Sequence, residues 1–325
     1  MNILVLGGTR LVGRGFVEAA LARGHTLTLF NRGQTHADRF PEVERLTGDR
    51  DGDLSALGSR TWDAVFDPSA SQPHRVSASL AALRDRVGFY LYVSSVSVYA
   101  GPEARDESSP LAQWDGRSEA VNERNYGGYK ARCEALVEDA MPGRSAALRL
   151  GLVVGPYDES GRYNVIVRRM ARGGEVLAAG PRDAPVQLID GRDAGAFAVG
   201  LLERGGGGPY NVTGPTLSME RALAETRAGV GSDARLVWAD HAWLVAQELQ
   251  PWEDIPLWTA PEDQWMWRVS SGRAEAAGLV CRPLSESARD ALAWEQGREA
   301  PTPERLDPES ERVILARLRA EGQER

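Results

Sequence analysis

The chain has 325 residues, enough for one large domain or two modest ones, and 42% of them are apolar, so it can bury a core. Its formal net charge of −8 weighs against broad binding to nucleic acid or anionic membrane, because phosphate contacts need clustered Lys and Arg. Two distant cysteines (Cys133, Cys281) and four scattered histidines (His25, His36, His74, His241) give neither a disulfide framework nor metal-ligand spacing. No apolar run is long enough for a membrane span, and the short apolar start lacks a basic flank, so a cytoplasmic location is expected.

The first element is legible at once. Asn2 to Leu6 is β-prone and nearly all apolar, as a strand buried on both faces of a parallel sheet must be. Gly7-Gly8-Thr9-Arg10-Leu11-Val12-Gly13 follows, then an amphipathic segment from Arg14 to Arg23, Gly24 at a helix C-cap position, and a second strand from Thr26 to Phe30. This is a βαβ unit of about thirty residues. Its glycines permit a tight turn, let amides at a helix start approach a pyrophosphate, and let helix and strand pack closely. The spacing is GGxxxxG rather than GxGxxG. An ordinary tight turn is the bland alternative, and the flanking strands favour dinucleotide binding. At the end of the second strand, where an acid would select NAD by binding both ribose hydroxyls, stand Asn31 and Arg32. A neutral side chain and a guanidinium suit a 2′-phosphate, with Arg10 adding to them, so NADP is expected and NAD is the alternative.

Further strands are read at Arg45 to Thr47, Trp62 to Phe66, Phe89 to Val93 and Ala146 to Leu150, with a helix from Gln72 to Arg86. Strands alternating with helices imply an α/β fold with a doubly wound parallel Rossmann sheet, whose ligands bind beyond the strands' carboxyl ends. Residues 1–155 are assigned to this domain and 156–325 mainly to a smaller α/β substrate domain, with parts of 185–215 returning to the sheet.

Two clusters carry chemistry. Tyr92-Val93-Ser94-Ser95-Val96-Ser97-Val98-Tyr99 closes one strand, and Tyr126-Gly127-Gly128-Tyr129-Lys130 opens a helix. Tyr126 and Lys130 are four apart and share a helix face. An ammonium beside a phenol favours the phenolate, and such a Tyr passes a proton to or from an alcohol or carbonyl oxygen, which Ser95 would hold. Gly127 and Gly128 each cost roughly 1 kcal/mol against Ala in a helix, so something is expected to approach this backbone closely.

Together these residues resemble the extended and atypical short-chain dehydrogenase/reductases over about residues 1 to 215. The resemblance implies Ser95, Tyr126 and Lys130 as catalytic residues, with Lys130 also holding the nicotinamide ribose. It places Asp49, with Arg50 beside it, at the adenine. "DESSPL" (106–111), "LRLGLVVGP" (148–156), "QLIDGRDAG" and "YNVTG" are similar to later family signatures. The double-glycine turn followed by "NRG" is most like an atypical subgroup of ill-defined reductases, epimerase/dehydratase-like proteins and chloroplast RNA-binding relatives. The 4,6-dehydratase Thr-Asp-Glu is replaced by Ser95-Val96-Ser97. Arg149 is kept, but the epimerases' diphosphate-binding Asn is Leu152, and Val186 stands about where they carry a later Arg. Asp67-Pro68-Ser69-Ala70 replaces a small polar or alanine-rich segment.

An NADP-preferring carbonyl–alcohol oxidoreductase acting on a small polar substrate is therefore expected. A sugar epimerase with retained NAD and a cofactor-loaded RNA-associated or regulatory protein are the alternatives. No nucleic-acid partner, membrane contact or metal is expected; a homodimer is a family expectation. Seven of nine tryptophans follow residue 230. They read as a small core or as a pocket wall, with Trp252 and Trp258 the pocket candidates. The charged last stretch reads as a terminal helix with one apolar stripe.

Overall fold

The computed structural model describes residues 1–325 except 70, 115, 117–120, 123, 302 and 324–325. Ala70 of the Asp67–Ala70 segment therefore lies outside the described residues. Numbered along the chain, the elements are β1 (Asn2–Leu6), α1 (Leu11–Ala22), β2 (Thr26–Asn31), β3 (Glu44–Thr47), β4 (Trp62–Asp67), α2 (Pro73–Leu83), β5 (Val87–Ser95), α3 (Tyr126–Ala140), β6 (Ser145–Leu150), β7 (Leu152–Val154) and α4 (Asn164–Ala171). They continue with β8 (Glu175–Ala179), β9 (Pro185–Asp190), α5 (Gly191–Arg204), β10 (Gly208–Val212), β11 (Thr216–Ser218), α6 (Met219–Gly229), β12 (Arg235–Ala239), α7 (His241–Ala246), α8 (Gly272–Ala276), α9 (Leu284–Gln296) and α10 (Pro308–Ala320).

Two compact units result. The first comprises residues 1–151, 191–214 and 269–280. Its seven-stranded sheet has the order β10-β6-β5-β4-β1-β2-β3, and every pairing is parallel. The strands are apolar runs because helices cover the sheet: Ile3, Leu4, Val5 and Leu6 are all fully buried. The order reverses between β1 and β4, which places a ligand crevice beyond the carboxyl ends of those two strands. Gly24, at φ 77°, ends α1 with its N–H on the Leu21 carbonyl, the expected C-cap geometry.

The second unit comprises residues 152–190, 215–268 and 281–325. It holds a three-stranded sheet, β11-β9-β7, and a parallel pair, β12-β8. Residues 185–190 form β9 in this small sheet, and the chain returns to the first unit over residues 191–214. The sequence boundaries need one correction. The 269–280 segment belongs to the first unit, where the Ser270 N–H donates to the Arg105 carbonyl and Asn211 Nδ2 donates to the Ser270 carbonyl, because strand β10 needs cover on its outer side.

The tryptophans build the second unit's core. Trp258 is 2% exposed and donates to His241 Nδ1 at 3.0 Å, which corrects its expected pocket-facing role. Trp252 stacks on Trp267 with ring centroids 5.3 Å apart and packs against a cluster holding Tyr163, Trp238 and Trp267. The terminal α10 is capped by Asp307, and its stripe, Ile314, Leu315 and Leu318, is buried with Leu177, Val237 and Trp258. Among the described residues no helix is long and apolar enough to cross a membrane.

Candidate active site

The glycine turn is built for close approach. Gly7 and Gly8 adopt φ 121° and 96°, where side chains are strained, and the Gly7 N–H donates to the carbonyls of Val5 and Phe30. A Cβ on Gly13 would stand 3.0 Å from the Gly8 Cα. Helix α1 starts at Leu11, three residues before the expected Arg14, so Leu11, Val12 and Gly13 supply its leading amides. It has no side-chain cap and no acid in its first turn, which leaves an N-terminal end suited to an anion. Thr9 is buried and Arg10 exposed at its mouth. The turn therefore fits a dinucleotide pyrophosphate. Behind it, a Cβ on Gly15 would collide with the Gly191 carbonyl, and one on Gly195 with the Gly15 backbone, so α1 and α5 cross backbone to backbone. In the sequence, the signal of this crossing is small residues on one face of each helix.

At the ribose end the side chains do not all point outward. Asn31 Nδ2 donates to the Gly7 carbonyl at 3.1 Å, and its Oδ1 accepts the Gly33 N–H at 3.0 Å. Asn31 thus pins the turn rather than reaching for a phosphate. Arg32 is exposed and carries no ion pair among the described residues. Asp49 is half-buried and accepts the Asp51 N–H in its own turn.

Arg50 corrects a second expectation. Its guanidinium turns inward onto the fully buried Asp67, with two parallel bonds of 2.6 and 2.7 Å, and also reaches Ser79 and Ser69. Tyr90 Oη donates to the same carboxylate at 2.7 Å. Burial pushes the Asp67 carboxyl up, but the Arg50 charge and the bonds from Arg50 and Tyr90 outweigh it and hold its pKa below the ordinary carboxylate value. This gives the departure at Asp67-Pro68-Ser69 a role: Asp67 anchors Arg50, and Ser69 Oγ donates to the Leu6 carbonyl at 2.7 Å, bracing the end of β1 before Gly7.

The Ser-Tyr-Lys residues lie on β5 and α3. Ser95 ends β5, donates to Ser97 Oγ at 3.1 Å and accepts the Ser97 N–H. Gly127 and Gly128 explain how α3 reaches this loop. A Cβ on Gly127 would collide with the Ser97 carbonyl oxygen, and one on Gly128 would stand 2.8 Å from the Gln113 carbonyl oxygen. Their expected close approach is thus to the chain's own backbone. Lys130 is 5% exposed; its Nζ lies 5.9 Å from the Tyr126 ring centroid, as the i,i+4 spacing requires. Burial lowers the Lys130 pKa to about 8, the carboxylates of Asp67 and Glu134 opposing that fall only in part.

The sequence itself marks Lys130 out. Of the 38 Lys and Arg residues, 37 are arginine, and Lys130 is the only lysine. Guanidinium stays charged in any protein setting, whereas a buried ammonium can lose its proton near neutral pH, so this one position needs what arginine lacks.

A buried lattice fixes α3 against the sheet. Arg149 on β6 pairs with Glu134 at 2.7 Å, donates to Tyr99 Oη at 3.1 Å and to the Glu107 carbonyl at 3.2 Å. Tyr99 Oη donates to Asn211 Oδ1, and the Asn211 N–H to Glu107 Oε1, both at 2.7 Å. The separate signatures "DESSPL", "SVSVY", "LRLG" and "YNVTG" therefore meet in one network, in which Arg149 serves structure. Sequence spacing gave no sign of this meeting, because the five side chains come from five separate segments.

A Rossmann unit with a glycine turn, a serine-ended strand and a Tyr-Lys helix defines a nucleotide-cofactor enzyme of the short-chain dehydrogenase/reductase type. Residues 3–213 match the model of the NAD dependent epimerase/dehydratase family, and the chain belongs to that family. Among curated proteins, the chloroplast stem-loop binding protein of 41 kDa b of Arabidopsis thaliana is 34% identical over 114 residues, 30% of each chain. An uncharacterized oxidoreductase of Streptomyces coelicolor is 31% identical over 110 residues, 34% of this chain and 39% of that one. The match thus spans about a third of the length of each curated relative. Among solved structures, the Bordetella bronchiseptica enzyme WbmH in complex with NAD+ superposes with a TM-score of 0.68 at 16% identity, over 92% of this chain and 99% of that one. The Thermus thermophilus UDP-glucose 4-epimerase complex with NAD gives 0.65 at 20%, over 91% and 99%. At such identities these likenesses establish the fold.

Proposed function

We propose that this chain is an oxidoreductase that interconverts a carbonyl and an alcohol on a small polar substrate, with a preference for NADP. The observation that carries the reading is Lys130, the only lysine, buried at the Tyr126 ring, where burial lowers its pKa to about 8. Tyr126 exchanges a proton with the substrate oxygen, Lys130 favours the phenolate and holds the nicotinamide ribose, and Ser95 orients that oxygen. The cofactor, when bound, supplies or accepts the hydride. The cofactor preference is supported by Arg32, exposed at the end of β2, and by the lack of an acid at Asn31. Replacing Tyr126 by Phe is expected to abolish turnover in a screen of carbonyl substrates while leaving NADPH affinity nearly intact; surviving activity would refute the mechanism.

A second reading, an epimerase that keeps its NAD, is favoured by the NAD complexes of WbmH and the Thermus enzyme. Arg149, committed to Glu134 and Tyr99, weighs against a nucleotide diphosphate contact there. Native mass spectrometry separates the two: tightly retained NAD supports the epimerase, and an empty site that takes NADPH over NADH supports the reductase. The stem-loop binding relative keeps an RNA-associated role as the reading that salt-dependent RNA binding would support.

A further inference from the structure

The Lys130 ammonium is held from the sheet side as well as from its own helix. Its Nζ donates to Tyr92 Oη at 3.1 Å and to the Val93 carbonyl at 2.8 Å, and it sits 4.8 Å from the Tyr92 ring centroid. An ammonium has three protons, so two of them are engaged by adjacent residues of β5, the strand that ends in Ser95. The Val93 carbonyl is backbone. The Tyr92 hydroxyl is a side-chain feature, and phenylalanine would fill the same fully buried place without it.

Tyr92 also reaches Cys133, one turn beyond Lys130 on α3, through a hydrogen bond between its hydroxyl and the thiol. Burial raises the pKa of both the phenol and the thiol, the latter to about 11, so both stay neutral across the physiological range. The hydroxyl can then spend its proton on sulfur and present a lone pair to Lys130, a chain in which each bond polarises the next.

We infer that Tyr92 is a positioning residue, whose hydroxyl stabilises the charged form of Lys130 and aims that ammonium along the Tyr126 side of α3. The inference rests on the proposed function only for its catalytic consequence; the geometry stands apart from it. The titratable and charged groups facing Lys130 are Tyr126, Cys133 and Glu134 on α3, Tyr92 on β5, Asp67 on β4 and Arg50 after β3, with Arg149 of β6 behind Glu134. Asp67 is already spoken for by Arg50 and Tyr90, and Glu134 by Arg149. The neutral acceptors Tyr92 and Val93 bond the ammonium directly.

The single lysine makes the test direct. Protein grown on 13Cε-lysine carries one labelled side chain, whose resonance is followed from pH 6 to 11 without any substrate. The wild-type midpoint is expected near 8. In Tyr92→Phe, which keeps the ring but removes the acceptor, the midpoint should fall by about one unit, a tenfold rise in the acid dissociation constant. A midpoint that stays within about 0.3 unit, or that rises, overturns the inference. If the variant folds poorly, wild-type protein labelled at tyrosine Cζ answers the same question. A buried phenol resonance must then shift at the Lys130 midpoint, and none shifting overturns it. Fluorescence titration with NADPH tests the other layer. Unchanged NADPH affinity in Lys130→Met would sink the cofactor role of Lys130 in the proposed function, while the Tyr92-dependent midpoint would still stand.

Discussion

Gly127→Ala concentrates the argument about how the site is assembled. Alanine is the better helix former by roughly 1 kcal/mol, so propensity alone predicts a more stable protein. The new methyl, however, collides with the Ser97 carbonyl oxygen and stands 3.0 Å from its carbon. Ordinary carbon–oxygen contact is about 3.4 Å, so the loop after β5 and the start of α3 must separate by more than about 1 Å. Overpacking against backbone costs about 1–3 kcal/mol, which leaves a net loss of up to about 2 kcal/mol and a Tm lower by up to about 8 °C. The same displacement moves Ser95 relative to Tyr126, and a misplacement of about 1 Å costs on the order of 100-fold in rate. Thermal denaturation with Gly52→Ala as control, where the added Cβ meets open space, reads the first effect, and the Lys130 resonance reports the second. A Gly127→Ala protein as stable as the control, with that resonance unmoved, would refute the close-approach account.

Lys130→Met should be inactive yet more stable at pH 7. The folded-state pKa of about 8 lies below the ordinary value of 10.5, so the unfolded chain holds the extra proton between those values and the wild type gains stability as pH rises through them. The advantage of the variant, on the order of 3 kcal/mol at neutral pH, should shrink towards pH 10.5 in urea melts; an advantage independent of pH would contradict the burial argument. Arg32→Ala should lower NADPH affinity about tenfold or more while sparing NADH, as fluorescence titration reads, since a charge-assisted bond is worth about 1.5–3 kcal/mol; equal effects on both cofactors would assign Arg32 to the solvent. Asp67→Asn should cost about 3–5 kcal/mol by leaving the Arg50 guanidinium buried without its counter-charge. The wild-type contribution of Asp67, whose folded pKa is depressed, is present above about pH 4 and lost as pH falls through the folded value; acid unfolding that is identical in the two proteins would remove it.

The first half of the fold was legible because a sheet covered on both faces writes itself as apolar runs, and β1, β2 and β4 are such runs. The Tyr126–Lys130 pair was legible because helical spacing alone puts the two side chains together. Arg50 was misread because residue type and position told of a charge beside a cofactor site, while its direction depends on Asp67, seventeen residues on and buried. Trp258 was misread for a related reason: tryptophan beside proline looks the same in a pocket wall and in a core, and only the neighbours Leu177, Val237 and Leu315 decide. The 269–280 segment left no trace, since the groups that tie it to the first unit, among them the Ser270 backbone and the Arg273 guanidinium on the Gly207 carbonyl, carry no pattern in sequence.

A chain with 37 arginines and one buried lysine is nearly invisible to reagents that acylate amines, because guanidinium does not react under the conditions that label ammonium groups. Apart from the terminal amine, an active ester offered to the folded protein finds its target only when α3 lifts from β5. The labelling rate at Lys130 is then a clock for that opening, and a molecule bound against the same ammonium slows it in proportion to occupancy.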